Sequence, residues 1–259
     1  MKNKIHKTAI VSDDCNMGDG VTVGPYAHIG PNVELGDGVE IKHHANIEKN
    51  TVIGEGCIVY PFASLGTAPQ DLKYEGEETL LRIGKNTTVR EFCDLNTATG
   101  KGNETVIGDN CLLMAYVHVA HNCIVGNNVV MANLAQLAGH VTIYDNVIMG
   151  GFTGAHQFCR IGRFSMLGAG ALVKRDVVPY ALLDGDAKKV RTFNLIGLRR
   201  SGFSKKEIST VKDLFRIMFH SDRNTTQAIE FIRGELNTED KIVSEFINFV
   251  EESERGILV

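Results

Sequence analysis

The sequence predicts a mainly β protein, a solenoid of very short strands followed by a C-terminal helical domain, on three observations. Apolar residues recur at every sixth position from Ile5 to Val173, and of those 29 positions only Asp71, Glu77 and Lys101 are not apolar. A helix cannot produce this pattern, because a six-residue step on a 3.6-residue spiral does not stay on one face. The residue two places before each apolar one is small or β-branched, as at Ala9, Val21, Ala45, Thr51, Val117, Ala135 and Val141. Positions i and i−2 of a strand share a face, so both columns point inward, and the Gly that often follows the apolar residue fits a tight corner. Beyond Val173 the period of six gives way to apolar residues at helical spacing.

Composition narrows the function classes. At 259 residues with 43 % hydrophobic content the chain has ample material for a core. A formal net charge of −4 offers no global basic field for nucleic acid or an anionic membrane. The N-terminal MKNKIHKTAIVSDD lacks the apolar core of a signal peptide, and no apolar run is long enough to span a bilayer, so a cytoplasmic location is the default expectation. Gly is abundant at 27, Pro numbers only 5 and Trp is absent, as suits a chain that turns often without prolines.

In chain order, the rhythm runs unbroken from Ile5 to Leu65 and is then interrupted twice, by residues 66–82 (GTAPQDLKYEGEETLLR) and 96–106 (NTATGKGNETV). All six cysteines (Cys15, Cys57, Cys93, Cys111, Cys123 and Cys159) fall in the inward column with Ala, Val and Thr. They read as core filling rather than as metal ligands, disulfides or a thiol nucleophile. Residues 1–178 are thus expected to form the solenoid, 179–202 a linker and 203–259 the helical domain. Ser204-Lys205-Lys206-Glu207 is a capping box, and Ile208, Val211, Leu214, Phe215, Met218 and Phe219 follow at helical spacing. Two further amphipathic segments are expected near 226–236 and 238–252.

The period alone leaves handedness and the number of sides open. The pattern resembles the hexapeptide-repeat acyltransferases, and that resemblance implies a left-handed parallel β-helix with three flat sides, 18 residues per coil. In that register the two interruptions add 12 and 6 residues and leave the prism at one edge. Met114 to Cys159 holds four of the nine histidines, His118, His121, His140 and His156. Three successive corners, 120–122, 138–140 and 156–158, then stack at about 4.8 Å along the same edge, with His121 below Gly139 and Asn122 below His140. A single exposed His is ordinarily a solvated corner, but four of them beside two polar loops point to a site. A zinc enzyme of the carbonic-anhydrase-like hexapeptide type and a non-catalytic β-solenoid remain as other readings.

More specific pieces sharpen the resemblance: PQDLKYEGE (69–77), HVAHNC (118–123), LAGHV (137–141), HQFCRIG (156–162), NLIGLRRSGFS (194–204) and SERG (253–256). These resemble the UDP-N-acetylglucosamine O-acyltransferases that begin lipid A biosynthesis. The resemblance implies transfer of a 3-hydroxyacyl chain from acyl carrier protein to the 3-hydroxyl of the sugar nucleotide, by a homotrimer without a cofactor or metal. It implies His121 as general base, with the Gly139 N–H holding the intermediate's oxygen. Asp71, Lys73, His118 and His140 are implied at the sugar and phosphate, His156, Gln157, Asn194 and Arg200 at the nucleotide, and Ala169 as a limit on acyl length. Asn122 stands where some members carry Asp, while Ile196 and Ser201 replace polar or basic residues. The 3-amino analogue of the sugar stays open as acceptor. The later N-acyltransferase of the same pathway carries an extra N-terminal domain, for which a repeat starting at Ile5 leaves no room. Seven basic residues and no acid lie between Ala187 and Lys206, a patch of the sign that would dock acidic acyl carrier protein.

Overall fold

A computed structural model of the chain describes residues 2–186 and 189–259. Short parallel strands stack into three sheets of 11, 9 and 8 strands, forming the three faces of a left-handed parallel β-helix. The first face begins at Lys4–Ile5, the second at Ile10–Val11 and the third at Asn16–Met17, so the chain visits them in turn. Most of the two-residue strands pair with the strand 18 residues on, as in His118↔Gln136 and Val119↔Leu137. Two coils are longer, Leu65↔Leu95 and Leu95↔Val119, which places both interruptions at the edge after the second face. The inward column is dry: Leu65, Leu95, Val119 and Leu137 are all 0 % exposed and lie one above another.

The corners divide their demands between two positions. The third corner residue takes a left-handed backbone, filled by Asn at Asn32, Asn50, Asn86, Asn110, Asn122, Asn128 and Asn146, which tolerates that region best among non-glycine residues. At the edge after the first face the same position is often aromatic, and Phe62, Phe92 and Tyr116 stack at 5.2 and 4.8 Å between ring centres. The first corner residue is often Gly for a different reason. A Cβ on Gly36 or Gly54 would sit 2.6 or 2.7 Å from the backbone of the next coil, so close stacking excludes a side chain there.

Both interruptions are shorter than the spacing predicts. Strands Leu80–Ile83 and Glu104–Ile107 pair along four residues, leaving loops at 68–79 and 97–103. The segment expected as a linker is also ordered. Ala181–Leu183 joins the first face, Val190–Phe193 pairs with it antiparallel, and a short helix α1 (Leu195–Arg200) follows. The helical domain comprises α2 (Lys205–Phe219), α3 (Thr225–Glu235) and α4 (Lys241–Glu251), and the capping box of Ser204 and Glu207 is present at the start of α2. Burial pushes the Cys123 thiol up to about 12 and Cys57 to about 11, so these side chains behave as inert core.

One buried acid ties the helical domain to the prism. Asp176, with no exposed side-chain surface, accepts hydrogen bonds from Arg160 N at 2.8 Å, Arg160 Nε at 3.0 Å and Ser253 Oγ at 2.8 Å. The Arg160 guanidinium also donates to the Phe249 carbonyl at 2.6 Å and lies over the Phe249 ring. Asp176→Ala would remove the buried carboxylate of this arginine and leave it the exposed Glu252 at 3.4 Å, and the expected cost is about 3–5 kcal/mol in denaturant unfolding. A loss below about 1 kcal/mol would show that the tail is held by something else.

Candidate active site

The edge after the second face carries the corners Ala120-His121-Asn122, Ala138-Gly139-His140 and His156-Gln157-Phe158. His121 is well enclosed, with 14 % of its side chain exposed. Gly139 sits directly against its ring: a Cβ at 139 would lie 2.5 Å from Cε1 and 2.6 Å from Nε2. Glycine is therefore required here by the neighbouring imidazole and not by backbone conformation.

The Gly139 N–H is also available to a ligand. At the edge after the third face, the N–H of the middle corner residue is taken in four coils by a side-chain oxygen from one coil above. Asp19 N donates to Asp37, Lys85 N to Asp109, Asp109 N to Asn127 and Asn127 N to Asp145, all at 2.7–2.8 Å. One coil above Gly139 stands Gln157, and among the described residues no group accepts from the Gly139 N–H. An unused donor beside an enclosed imidazole can serve a bound oxygen.

Both loops fold onto this edge, and their anchor is a residue that the sequence reading passed over. Asp94 accepts from Thr67 Oγ1 at 3.0 Å, Gln70 Nε2 at 3.2 Å and Asn96 Nδ2 at 3.3 Å, and its Oδ2 lies 3.0 Å from His118 Nδ1. Burial pushes this carboxyl up, but the hydrogen bonds from His118 and Thr67, with the His118 charge and Asn96, win and hold it below the usual carboxylate range. His118 Nδ1 is also 3.1 Å from the Asp94 carbonyl, so both neighbours of that nitrogen are acceptors and it carries the proton. The only sequence signal for Asp94 is its place: it pairs directly with His118 on the outer side of the second face.

From the first loop, Asp71 places Oδ2 3.7 Å from His121 Nε2 while its Oδ1 accepts from Lys73 N at 3.0 Å. Glu77 Oε1 accepts from Gly100 N at 2.7 Å and so joins the first loop to the second. His140 lies edge-on to His121 with ring centres 5.2 Å apart and stacks on Phe158 at 4.7 Å. Burial, then the charge of His121, hold the His140 imidazole below the usual histidine range against a weaker pull from Asp71, so it is neutral near pH 7.

Two grooves meet at His121. One, of about 530 Å³, runs over the second face and is mostly apolar, lined by Ala120, Leu137, Ala138, Gly139, Ala155, Leu172 and Val173, with His118 and His156 at its side. The other, of about 790 Å³, is polar and lies under the first loop, lined by Asp71, Lys73, Glu77, Thr99, His140 and Gln157. Eight of the expected site residues therefore gather here: His121, Gly139, Asp71, Lys73, His118, His140, His156 and Gln157.

Three do not gather in this chain. Asn194 is 5 % exposed and its amide is engaged, accepting from Gly197 N at 3.0 Å as the cap of α1 and donating to the Phe164 carbonyl at 2.9 Å, on a different edge of the prism. Arg200 is exposed at the end of α1, on that same far edge. Ala169 is an exposed corner residue at the start of the second face, placed to meet only the far end of a chain that crosses that face. Among the described residues no three His, Cys, Asp or Glu side chains converge as metal ligands do, and no helix is long and apolar enough to cross a membrane.

A hexapeptide-repeat prism with an enclosed imidazole between an apolar and a polar groove fits an acyltransferase of that class, and comparison with known proteins gives the family. Residues 14–49 and 104–139 match the family described as bacterial transferase hexapeptide repeats, and 176–258 match the second domain of UDP N-acetylglucosamine O-acyltransferase. The chain is 46 % identical over 259 residues to the acyl-[acyl-carrier-protein]–UDP-N-acetylglucosamine O-acyltransferase of Paracidovorax citrulli, covering 98 % of this chain and 99 % of that one. Solved structures of the Acinetobacter baumannii and Francisella novicida enzymes superpose with TM-scores of 0.94 each, at 40 % and 35 % identity over 98 % of this chain and 99 % and 93 % of theirs. The chain belongs to the acyl-[acyl-carrier-protein]–UDP-N-acetylglucosamine O-acyltransferase family.

Gly139→Ala should force the His121 ring out of place while leaving the fold intact. The expected result is a fall in turnover of about 10²-fold with unfolding stability within about 1 kcal/mol of the parent. Full turnover in this variant would show that the contact between the two residues has no catalytic consequence.

Proposed function

We propose that this chain transfers a 3-hydroxyacyl group from acyl carrier protein to the 3-hydroxyl of UDP-N-acetylglucosamine in the cytoplasm, the first step of lipid A biosynthesis. The observation that carries the reading is His121 Nε2 at the junction of the two grooves, with Gly139 packed against the same ring and its N–H without an acceptor among the described residues. The apolar groove suits the acyl chain and the polar one the sugar nucleotide. An alcohol is a weak nucleophile, so Nε2 takes the proton of the 3-hydroxyl as its oxygen attacks the thioester carbon, help worth about 10²–10⁴ in rate. The Gly139 N–H receives the charge that develops on the carbonyl oxygen. The intermediate then collapses with cleavage of the carbon–sulfur bond, and the proton on Nε2 passes to the leaving thiolate. During this cycle Nε2 is positive, and Asp71 at 3.7 Å forms an ion pair with it.

Around this centre His118, held by Asp94, and neutral His140 serve as hydrogen-bonding partners of the sugar, with Asp71 and Lys73 toward sugar and phosphate and His156 and Gln157 toward the nucleotide. Asn194 and Arg200 reach the same nucleotide only if a second copy presents its α1 to this edge, which supports a homotrimer with sites between prisms. Ala169 then closes the far end of the acyl path. The exposed residues Lys189, Arg191, Arg199, Arg200, Lys205 and Lys206 form the docking patch for acidic carrier protein, with Arg191 already paired to Asp184 at 2.7 Å. Lys188, of the same run, lies outside the described residues.

Mass spectrometry of the product formed from carrier-bound 3-hydroxyacyl chains and either acceptor tests the reaction. The O-acylated N-acetylglucosamine nucleotide is expected from the parent and not from His121→Ala. Parental turnover in that variant would sink the base assignment. Asn122→Asp places a carboxylate beside the imidazole and raises its proton affinity. Since the base works in its neutral form, the acid limb of the pH–rate profile should move to higher pH, and an unmoved limb would contradict this role for the ring.

A further inference from the structure

We infer that the backbone of Thr99, acting through the side-chain amide of Asn122, dictates which ring nitrogen of His121 carries the proton. The inference rests on His121 as the base and adds a positioning residue from the second loop. Asn122 is pinned first at its own backbone, where its N–H donates to Thr105 Oγ1 at 2.9 Å. Its side chain then meets Thr99 at two points: Thr99 N donates to Oδ1 at 2.9 Å and Nδ2 donates to the Thr99 carbonyl at 3.0 Å. A backbone N–H can only donate and a carbonyl can only accept, so the amide has one permitted orientation. Turned by half a rotation it would set donor against donor and acceptor against acceptor, at about 1–3 kcal/mol for each unmade bond.

The permitted orientation directs Oδ1 at the imidazole, 2.9 Å from His121 Nδ1. An amide oxygen has no proton to give, so Nδ1 must supply it, and the neutral ring is the Nδ1–H tautomer with its lone pair on Nε2. Thr99 Oγ1 donates to the same Oδ1 at 2.9 Å and lies at a looser 3.4 Å from Nδ1, which leaves the assignment unchanged. The lone pair on Nε2 faces Asp71 and the grooves, where the hydroxyl must lose its proton. A neutral amide therefore does by orientation alone what a carboxylate would do by charge. The grip is itself supported, since Asn103 Nδ2 donates to the Thr99 carbonyl at 2.9 Å and Glu77 from the first loop holds Gly100 N at 2.7 Å.

Nitrogen-15 NMR of the imidazoles, with His121 assigned by comparison with His121→Ala, reads the tautomer directly at a pH where the ring is neutral. The expected result is a protonated Nδ1 and a bare Nε2. Asn122→Leu removes the acceptor, and Leu134 already occupies an equivalent left-handed corner with φ 64°, so this backbone accepts leucine. It should yield a mixture of tautomers and cut kcat by about 10²-fold with KM for both substrates little changed. Thr99→Pro deletes the donor N–H and should move the spectrum and kcat in the same direction. An Nε2–H ring in the parent, or an unchanged tautomer in Asn122→Leu, overturns the inference. An unchanged tautomer in Asn122→Leu leaves Nε2 as the base and an Nε2–H ring in the parent removes that role from Nε2, whereas the assignment to His121 itself falls only if His121→Ala remains active.

Discussion

Everything at the site depends on the hydrogen-bonded stacking of one coil on the next. Because His118 pairs with Gln136, the corner that follows must bring Gly139 over His121 and His140 over Asn122. Neither of the groups proposed to act in catalysis is placed by a loop of its own. The imidazole and the glycine that packs on it are held by the same ladder that fixes the core, which is the rigid support a reacting constellation needs. In four coils at another edge a short Asp or Asn one coil above caps the equivalent N–H, whereas above Gly139 stands Gln157.

The two interruptions supply what a regular prism lacks. Two-residue strands leave a nearly flat outer face, and the grooves exist because the loops rise over one edge of it. Asp94 gathers both loops and His118 on one carboxylate, and Glu77 joins the loops to each other farther out. Three of the four groove histidines are thereby given different environments. His118 faces a carboxylate, His121 a neutral amide and, across its other nitrogen, Asp71, while His140 is held neutral by burial. The base proposed at His121 must be unprotonated to begin and protonated midway, and such a division would serve it by setting the tautomer without fixing a proton on Nε2.

The prism was legible because its core admits only small or branched residues at two positions in six, so the sequence repeats the constraint that the fold imposes. Once the coil length is known, the stacking of His121, Gly139 and Asn122 follows by arithmetic, but that length came from resemblance and not from the period. Loop boundaries were overestimated, because Leu80–Ile83 and Glu104–Ile107 extend the ladder with residues whose outward side chains obey no apolar rule. Asp94 and Thr99 were missed for a related reason: their partners lie 22 to 27 residues away across loops of no fixed period. Ala169, Asn194 and Arg200 lie on other edges of this chain, where the repeat carries no signal that would link them to the histidine edge.

The most direct measurement is an experimental structure of the protein with its acylated sugar-nucleotide product bound. The account requires the ester oxygen at the sugar 3-position within about 3 Å of His121 Nε2, the acyl carbonyl oxygen within the same distance of the Gly139 N–H, and the chain lying in the apolar groove toward Leu172. A product whose ester faces His118 or His140, with Gly139 contacting no part of it, would contradict the assignment of base and donor.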